Sequence, residues 1–143
     1  MLIANVLRDK GAAVFTLTSD VTLESAAREL HTRKVGALVV LSETDEVIGV
    51  LSERDVVREV ARRGPKALED RVSAAMSRTV ITAHLQETID EGLARMTDRR
   101  VRHLPVLEEG RLIGIISIGD LVKHKIAAAE AEAAAMQAYI SAN

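Results

Sequence analysis

The chain has 143 residues, a formal charge of −2 and no cysteine. That length can bury a core without disulfides or metal, and the charge balance offers no general attraction to nucleic acid or anionic membrane. Hydrophobic residues make up 48% of the chain and aromatic residues 1%, with Phe15 and Tyr139 the only two, so the core is aliphatic and base-stacking platforms are nearly absent.

The missing thiols exclude thiolate catalysis, Cys-bound zinc and disulfides. At the N-terminus, "MLIANVLRDKGA" is broken by Arg8, Asp9 and Lys10 before a signal peptide or membrane span could form. The expectation is a cytoplasmic protein with neither nucleic acid nor membrane as partner.

In chain order, the first segment of interest is residues 14–41, because residues 80–107 repeat it without a gap. Val14 falls on Val80, Thr22 on Thr88, Leu30 on Met96, Val35 on Val101 and Leu38 on Leu104. Each copy begins with a short strand. A helix follows, its apolar stripe set by Leu23, Ala26, Ala27 and Leu30 in the first copy and by Ile89, Gly92, Leu93 and Met96 in the second. Thr22 and Thr88 are the expected N-caps, and Thr88 with Glu91 reads as a capping box.

Two apolar runs then read as a β-hairpin, with Gly110 at the second copy's turn, and further helices follow from Asp55 and Asp120. The expected fold is α/β (α+β): two β-α-β-β-α repeats packed about a pseudo-two-fold axis, so that each buries the other's bare sheet face. Residues 1–63 form repeat 1, 64–71 a linker broken by Gly64-Pro65, 72–127 repeat 2 and 128–143 a helical tail. In that tail Ile126, Ala129, Ala133, Met136 and Ile140 make a short heptad seam, read either as a helix lying on its own domain or as a dimer contact.

The hairpins end in matching tetrads, "SERD" at Ser52–Asp55 and "SIGD" at Ser117–Asp120, each behind a strand glycine, Gly49 or Gly114. A Ser-x-x-Asp tetrad at a strand-to-helix junction is satisfied as a helix cap without any ligand. Recurrence in two identical contexts, with a glycine that permits close approach of a backbone or ligand, supports a second role. An ionised carboxylate there only accepts hydrogen bonds, so it repels phosphate and suits the paired hydroxyls of a ribose. Where the first copy has Gly36-Ala37, the second has Arg102-His103. Arg102 offers a planar fork for phosphate and His103 a titratable donor, unless both are simply an exposed strand end. The small pair leaves room for a ligand. His31, His84 and His124 form no metal-ligand spacing, and no nucleophile motif or Gly-rich phosphate loop is present, so no enzyme is expected.

"VIGVLSERDVV" and "VRHLPVLEEGRLIGIISIGDLV" resemble the signature segment of cystathionine β-synthase (CBS) domains, and the two copies resemble a tandem pair, or Bateman module, here free-standing. The resemblance implies two clefts, each assembled from both repeats, for adenine nucleotides or related molecules. One would join Ser52, Arg54 and Asp55 to Val80, Ile81, Arg102 and His103; the other would join Ser117, Gly119 and Asp120 to Val14, Phe15, Gly36 and Ala37.

Asp55 and Asp120 would hold ribose. AMP is the first expectation, because one phosphate matches one Arg-His pair; ATP, ADP, NAD(H) and S-adenosylmethionine are alternatives. Only the first cleft has an evident phosphate partner, so unequal affinities are expected. The family further implies a homodimer and a regulated partner protein. The rival readings are a ligand-independent scaffold and, on weaker grounds, an enzyme acting on a nucleotide.

Overall fold

The computed structural model describes residues 1–11 and 13–142. Its contacts divide the chain into two compact units that do not follow chain order: Ala13–Val80 is one, and Met1–Ala12 with Ile81–Asn143 is the other. The overall class is mixed α/β.

In the Ala13–Val80 unit, β1 (Thr16–Thr18) runs parallel to β2 (Ala37–Leu41), which pairs antiparallel with β3 (Val47–Ser52). Helix α2 (Leu23–Arg33) lies between β1 and β2 in sequence and buries Leu23, Ala26 and Leu30, three of the four residues in its predicted stripe. Thr22 caps it by accepting the Ser25 N–H at 3.1 Å. Helix α3 (Glu53–Arg63) follows β3 directly and stops at Gly64, whose φ of +75° is strained for a side-chain-bearing residue. A 3-10 turn (Gly64–Glu69) with Pro65 in its first turn leads to the short α4 (Val72–Ala75).

The other unit holds α5 (Ile89–Arg99), the hairpin of β4 (His103–Glu108) and β5 (Arg111–Ser117), and α6 (Ile118–Ala142). Glu109 and Gly110 both have positive φ, the geometry of a two-residue hairpin turn that matches strand twist. Thr88 caps α5 through the Glu91 N–H at 3.1 Å. The expected capping box is only half formed, since among the described residues no bond returns from the Glu91 carboxylate to the Thr88 N–H.

The strand expected at the start of the second copy shrinks to a single parallel bridge, Ala83 to Val106. Pro105 explains the loss. In the first copy the Val39 N–H donates to the Phe15 carbonyl, but Pro105 stands at the position of Val39 and has no N–H to offer residue 81.

A helix not anticipated from the sequence, α1 (Ile3–Lys10), opens the segment of the first repeat yet packs in the unit of the second; α4 opens the segment of the second repeat and packs in the unit of the first. The docking bonds correspond pairwise. The Ile3 N–H donates to the Glu87 carbonyl as Val72 does to Val21, Ala4 donates to Leu85 as Ser73 does to Ser19, and Ile89 donates to Met1 as Leu23 does to Asp70.

The strand glycines serve this docking. A Cβ on Gly49 would stand 2.6 Å from the Met76 sulfur and 3.0 Å from the Ser77 carbonyl oxygen, and one on Gly114 would stand 2.5 Å from a Leu7 methyl. Of the two uses expected of these glycines, close approach by the protein's own chain is what the structure has.

Only Leu121 of α6 is fully buried, and every residue from 129 to 142 is exposed. The reading of this tail as a helix lying on its own domain is therefore corrected.

Candidate functional site

Both tetrads close as reciprocal capping boxes. The Ser52 N–H donates to Asp55 Oδ2 at 2.8 Å while the Asp55 N–H donates to Ser52 Oγ at 3.3 Å. Likewise, the Ser117 N–H donates to Asp120 Oδ2 at 2.8 Å and the Asp120 N–H to Ser117 Oγ at 3.1 Å. Hairpin register places each box beside the start of its partner strand, with Ala37 opposite Ser52 and His103 opposite Ser117. One more bond ties strand start to helix start in each unit: the Glu53 N–H donates to the Gly36 carbonyl at 3.0 Å, and the Ile118 N–H to the Arg102 carbonyl at 2.8 Å. Each unit thus presents a strand start, a strand end and a helix N-terminus at one edge.

The edges differ in what their carboxylates do. Asp55 is almost fully buried and uses both oxygens, since Arg58 Nη1 donates to Oδ1 at 2.8 Å and Nη2 reaches the Ala75 carbonyl at 3.1 Å. Asp120 receives its cation from α1. Lys10 Nζ donates to Oδ2 at 2.7 Å and to the Ile115 carbonyl at 2.8 Å, and among the described residues Oδ1 takes no bond. Burial pushes the Asp120 carboxyl up, but Lys10 and the Ser117 N–H outweigh it and hold it below its ordinary value. At neutral pH it is therefore an ionised acceptor.

Around Asp120, Gly119 is exposed; a Cβ there would meet only Ser117 Oγ, at 3.6 Å. Arg102 is exposed and His103 half-buried. Around Asp55, Arg54 is exposed, Gly36 half-buried and Ala37 buried. Phe15 and Val14 are half-buried in the same unit, the Phe15 ring covered by the Arg33 guanidinium at 4.6 Å. Val80 closes that unit, and Ile81 opens the other, packing against its core.

Within a unit the structure brings Ser117, Gly119 and Asp120 together with Arg102 and His103, and Ser52, Arg54 and Asp55 together with Gly36 and Ala37. Two residues beside Asp120 are not among the site residues expected from the sequence. Lys10 lies on the unanticipated α1, and His124 bridges the Asp120 carbonyl at 3.0 Å and Asp9 Oδ2 at 3.1 Å. The alignment of "LIANVL" with "RVSAAM", which sets Ile3 on Val72 and Leu7 on Met76, carried the signal for that helix.

The CBS domain family matches this chain twice, over residues 10–62 and 72–127, and the chain belongs to that family as a tandem CBS pair. Among curated relatives, it is 30% identical over 146 residues to the mitochondrial CBS domain-containing protein CBSX3 of Arabidopsis thaliana, covering 96% of this chain and 71% of that one. It is 32% identical to an uncharacterized Methanopyrus kandleri protein, covering 77% of this chain and spanning 57% of that protein's length.

Among solved structures, the CBS-domain protein ATU1752 of Agrobacterium tumefaciens superposes with a TM-score of 0.85 at 43% identity, covering 87% of this chain and 92% of that one. The CBS domain protein PAE2072 of Pyrobaculum aerophilum, complexed with AMP, superposes with a TM-score of 0.75 at 25% identity, covering 84% and 89%. The CBS domain pair of MJ0100, in complex with 5'-methylthioadenosine and S-adenosyl-L-methionine, shares the fold with a TM-score of 0.77 at 22% identity, covering 86% and 94%. Among the described residues, no helix is long and apolar enough to cross a membrane.

Proposed function

We propose that this CBS pair is a regulatory module that binds an adenosine-containing nucleotide, AMP first, and passes its occupancy to a partner protein. The observation that carries the proposal is Asp120. It is fixed by a reciprocal cap, kept ionised by Lys10, and has Oδ1 outside both interactions. Such an oxygen suits a ribose hydroxyl, and Arg102 and His103 of the same unit suit a phosphate. The AMP complex of PAE2072 supports the ligand class. In the unit of Asp120, Ser117 and Gly119 would line the site and Ile81 would supply an apolar contact to the base; in the unit of Asp55, Ser52, Arg54, Gly36 and Ala37 would line a separate edge with Val14, Phe15 and Val80 as its apolar residues.

Asp55 favours a second reading for its own end, a ligand-independent structural cap, because Ser52 and Arg58 already occupy both of its oxygens. The sequence expectation put the stronger site at the cleft of Asp55 with Arg102 and His103; the present reading reverses that order and favours Asp120. A thermal-shift panel of AMP, ADP, ATP, NADH and S-adenosylmethionine tests the whole proposal. Ligand at 100 times its dissociation constant adds about 2.7 kcal/mol, a rise of several degrees in melting temperature. No shift with any of the five would leave only the scaffold.

A further inference from the structure

We propose that Lys10 is a ligand-released latch: the paired hydroxyls of a ribose compete with its ammonium for Asp120, so that a bound nucleotide unfastens the last turn of α1. The proposal rests on the reading of Asp120 as the ribose acceptor. The latch is a crossed pair of contacts. Helix α1 ends in an acid and a base, Asp9 and Lys10, and the first two turns of α6 carry an acid and a base four residues apart, Asp120 and His124. Lys10 Nζ donates to Asp120 Oδ2 at 2.7 Å, while the His124 ring lies between Asp9 Oδ2 at 3.1 Å and the Asp120 carbonyl at 3.0 Å. Lys10 also donates to the Ile115 carbonyl at 2.8 Å, next to Gly114, whose missing side chain leaves the space that Leu7 fills. The last turn of α1 is thus fastened to β5 and α6 at the edge that carries Asp120.

A carboxylate offers about four acceptor positions, two on each oxygen. Oδ2 of Asp120 already accepts from the Ser117 N–H at 2.8 Å and from Lys10, while Oδ1 takes no bond among the described residues. A single hydroxyl therefore fits on Oδ1 with the latch closed. A ribose diol that donates one bond to each oxygen needs a place on Oδ2 as well. The Ser117 N–H does not leave, because it is a backbone group of the cap that starts α6. Lys10 can leave, since its side chain is 32% exposed and its ammonium regains water on release. The Ser117 N–H continues to favour the ionised carboxylate after that release. By linkage, the factor by which a diol loosens Lys10 is the factor by which Lys10 weakens the diol.

Calorimetric titration of AMP and 2'-deoxy-AMP into the wild type, Lys10→Met and Lys10→Arg at neutral pH tests the latch. Lys10→Met should bind AMP about two- to fivefold more tightly than the wild type does, and 2'-deoxy-AMP about as tightly. Loss of a cation alone has the opposite sign, because it weakens attraction to a phosphate. Lys10→Arg keeps a donor at the latch and should bind AMP no more tightly than the wild type. Equal or weaker AMP binding by Lys10→Met, or an equal gain for both nucleotides or in both variants, would overturn the latch and leave the ribose reading standing. AMP binding by Lys10→Met alone would support the latch in its strongest form; binding by none of the three proteins would overturn both readings. Hydrogen exchange at the Gly11 N–H, which closes α1 on the Leu7 carbonyl at 2.8 Å, reads the helix end itself. Saturating AMP should speed that exchange, as Lys10→Met should without ligand, and 2'-deoxy-AMP should not. Unchanged or slower exchange with AMP bound would contradict the release of α1.

Discussion

Asp55 and Asp120 occupy equivalent places in two copies of one motif, yet their neighbours make them chemically different. Arg58 reaches Asp55 from the next turn of its own helix, whereas Lys10 reaches Asp120 from a helix more than a hundred residues earlier in the chain. A third ion pair, with no counterpart in the first copy, lies beside α5. Glu87 is almost fully buried and is held by the paired nitrogens of Arg95, the first of which also donates to the Thr82 carbonyl at 2.9 Å. Arg95→Met would leave that buried carboxylate without its guanidinium partner, held only from His84, at a cost of about 3 kcal/mol measured by urea unfolding.

The pH response has a definite sign. Burial pushes the Glu87 carboxyl up, but the Arg95 guanidinium and the His84 N–H outweigh it and hold it below its ordinary value, as Lys10 does for Asp120. A carboxylate held low in the fold stabilises above the unfolded value near ~4.3 and loses that contribution as pH falls through its lower folded value. Melting temperature should therefore hold steady from neutrality to roughly pH 5 and then decline, and Glu87→Gln should flatten the decline.

At the scale of the element, the exchange of α1 and α4 decides how the strands are packed. Leu7 sits where a Cβ on Gly114 would be, and Met76 with Ser77 where one on Gly49 would be. Gly114→Ala and Gly49→Ala should each cost about 1–3 kcal/mol by overpacking. Gly49→Ala should be the more severe, because the Ser77 backbone yields less readily than a leucine methyl; melting curves of the two variants check the order.

The repeats, the stripes of α2 and α5, both hairpins and both caps were legible because each rests on local periodicity and capping chemistry. The docking helices were not, because their spacing in "LIANVLRDK" says nothing about which repeat receives them and α4 spans a single turn. The lost strand at Ile81 depended on a missing N–H at Pro105, a partner too distant in sequence for a local pattern to show.

For the whole molecule, two CBS repeats form two units, each completed by a short helix borrowed from the opening segment of the other repeat. The candidate residues were legible as a set because the tetrads repeat. Which of them share a unit followed from hairpin register instead, placing Ser117 opposite His103 and Ser52 opposite Ala37. That register concentrates the proposed ribose and phosphate partners at the Asp120 edge.

A calorimetric titration of AMP into the wild type and Asp120→Asn tests this most directly, because asparagine keeps the oxygen that caps α6 while removing the charge. The expected result is one dominant binding event in the wild type, weakened about ten- to a hundredfold in the variant, with Asp55→Asn changing affinity far less. Equal affinity in the wild type and Asp120→Asn would contradict it.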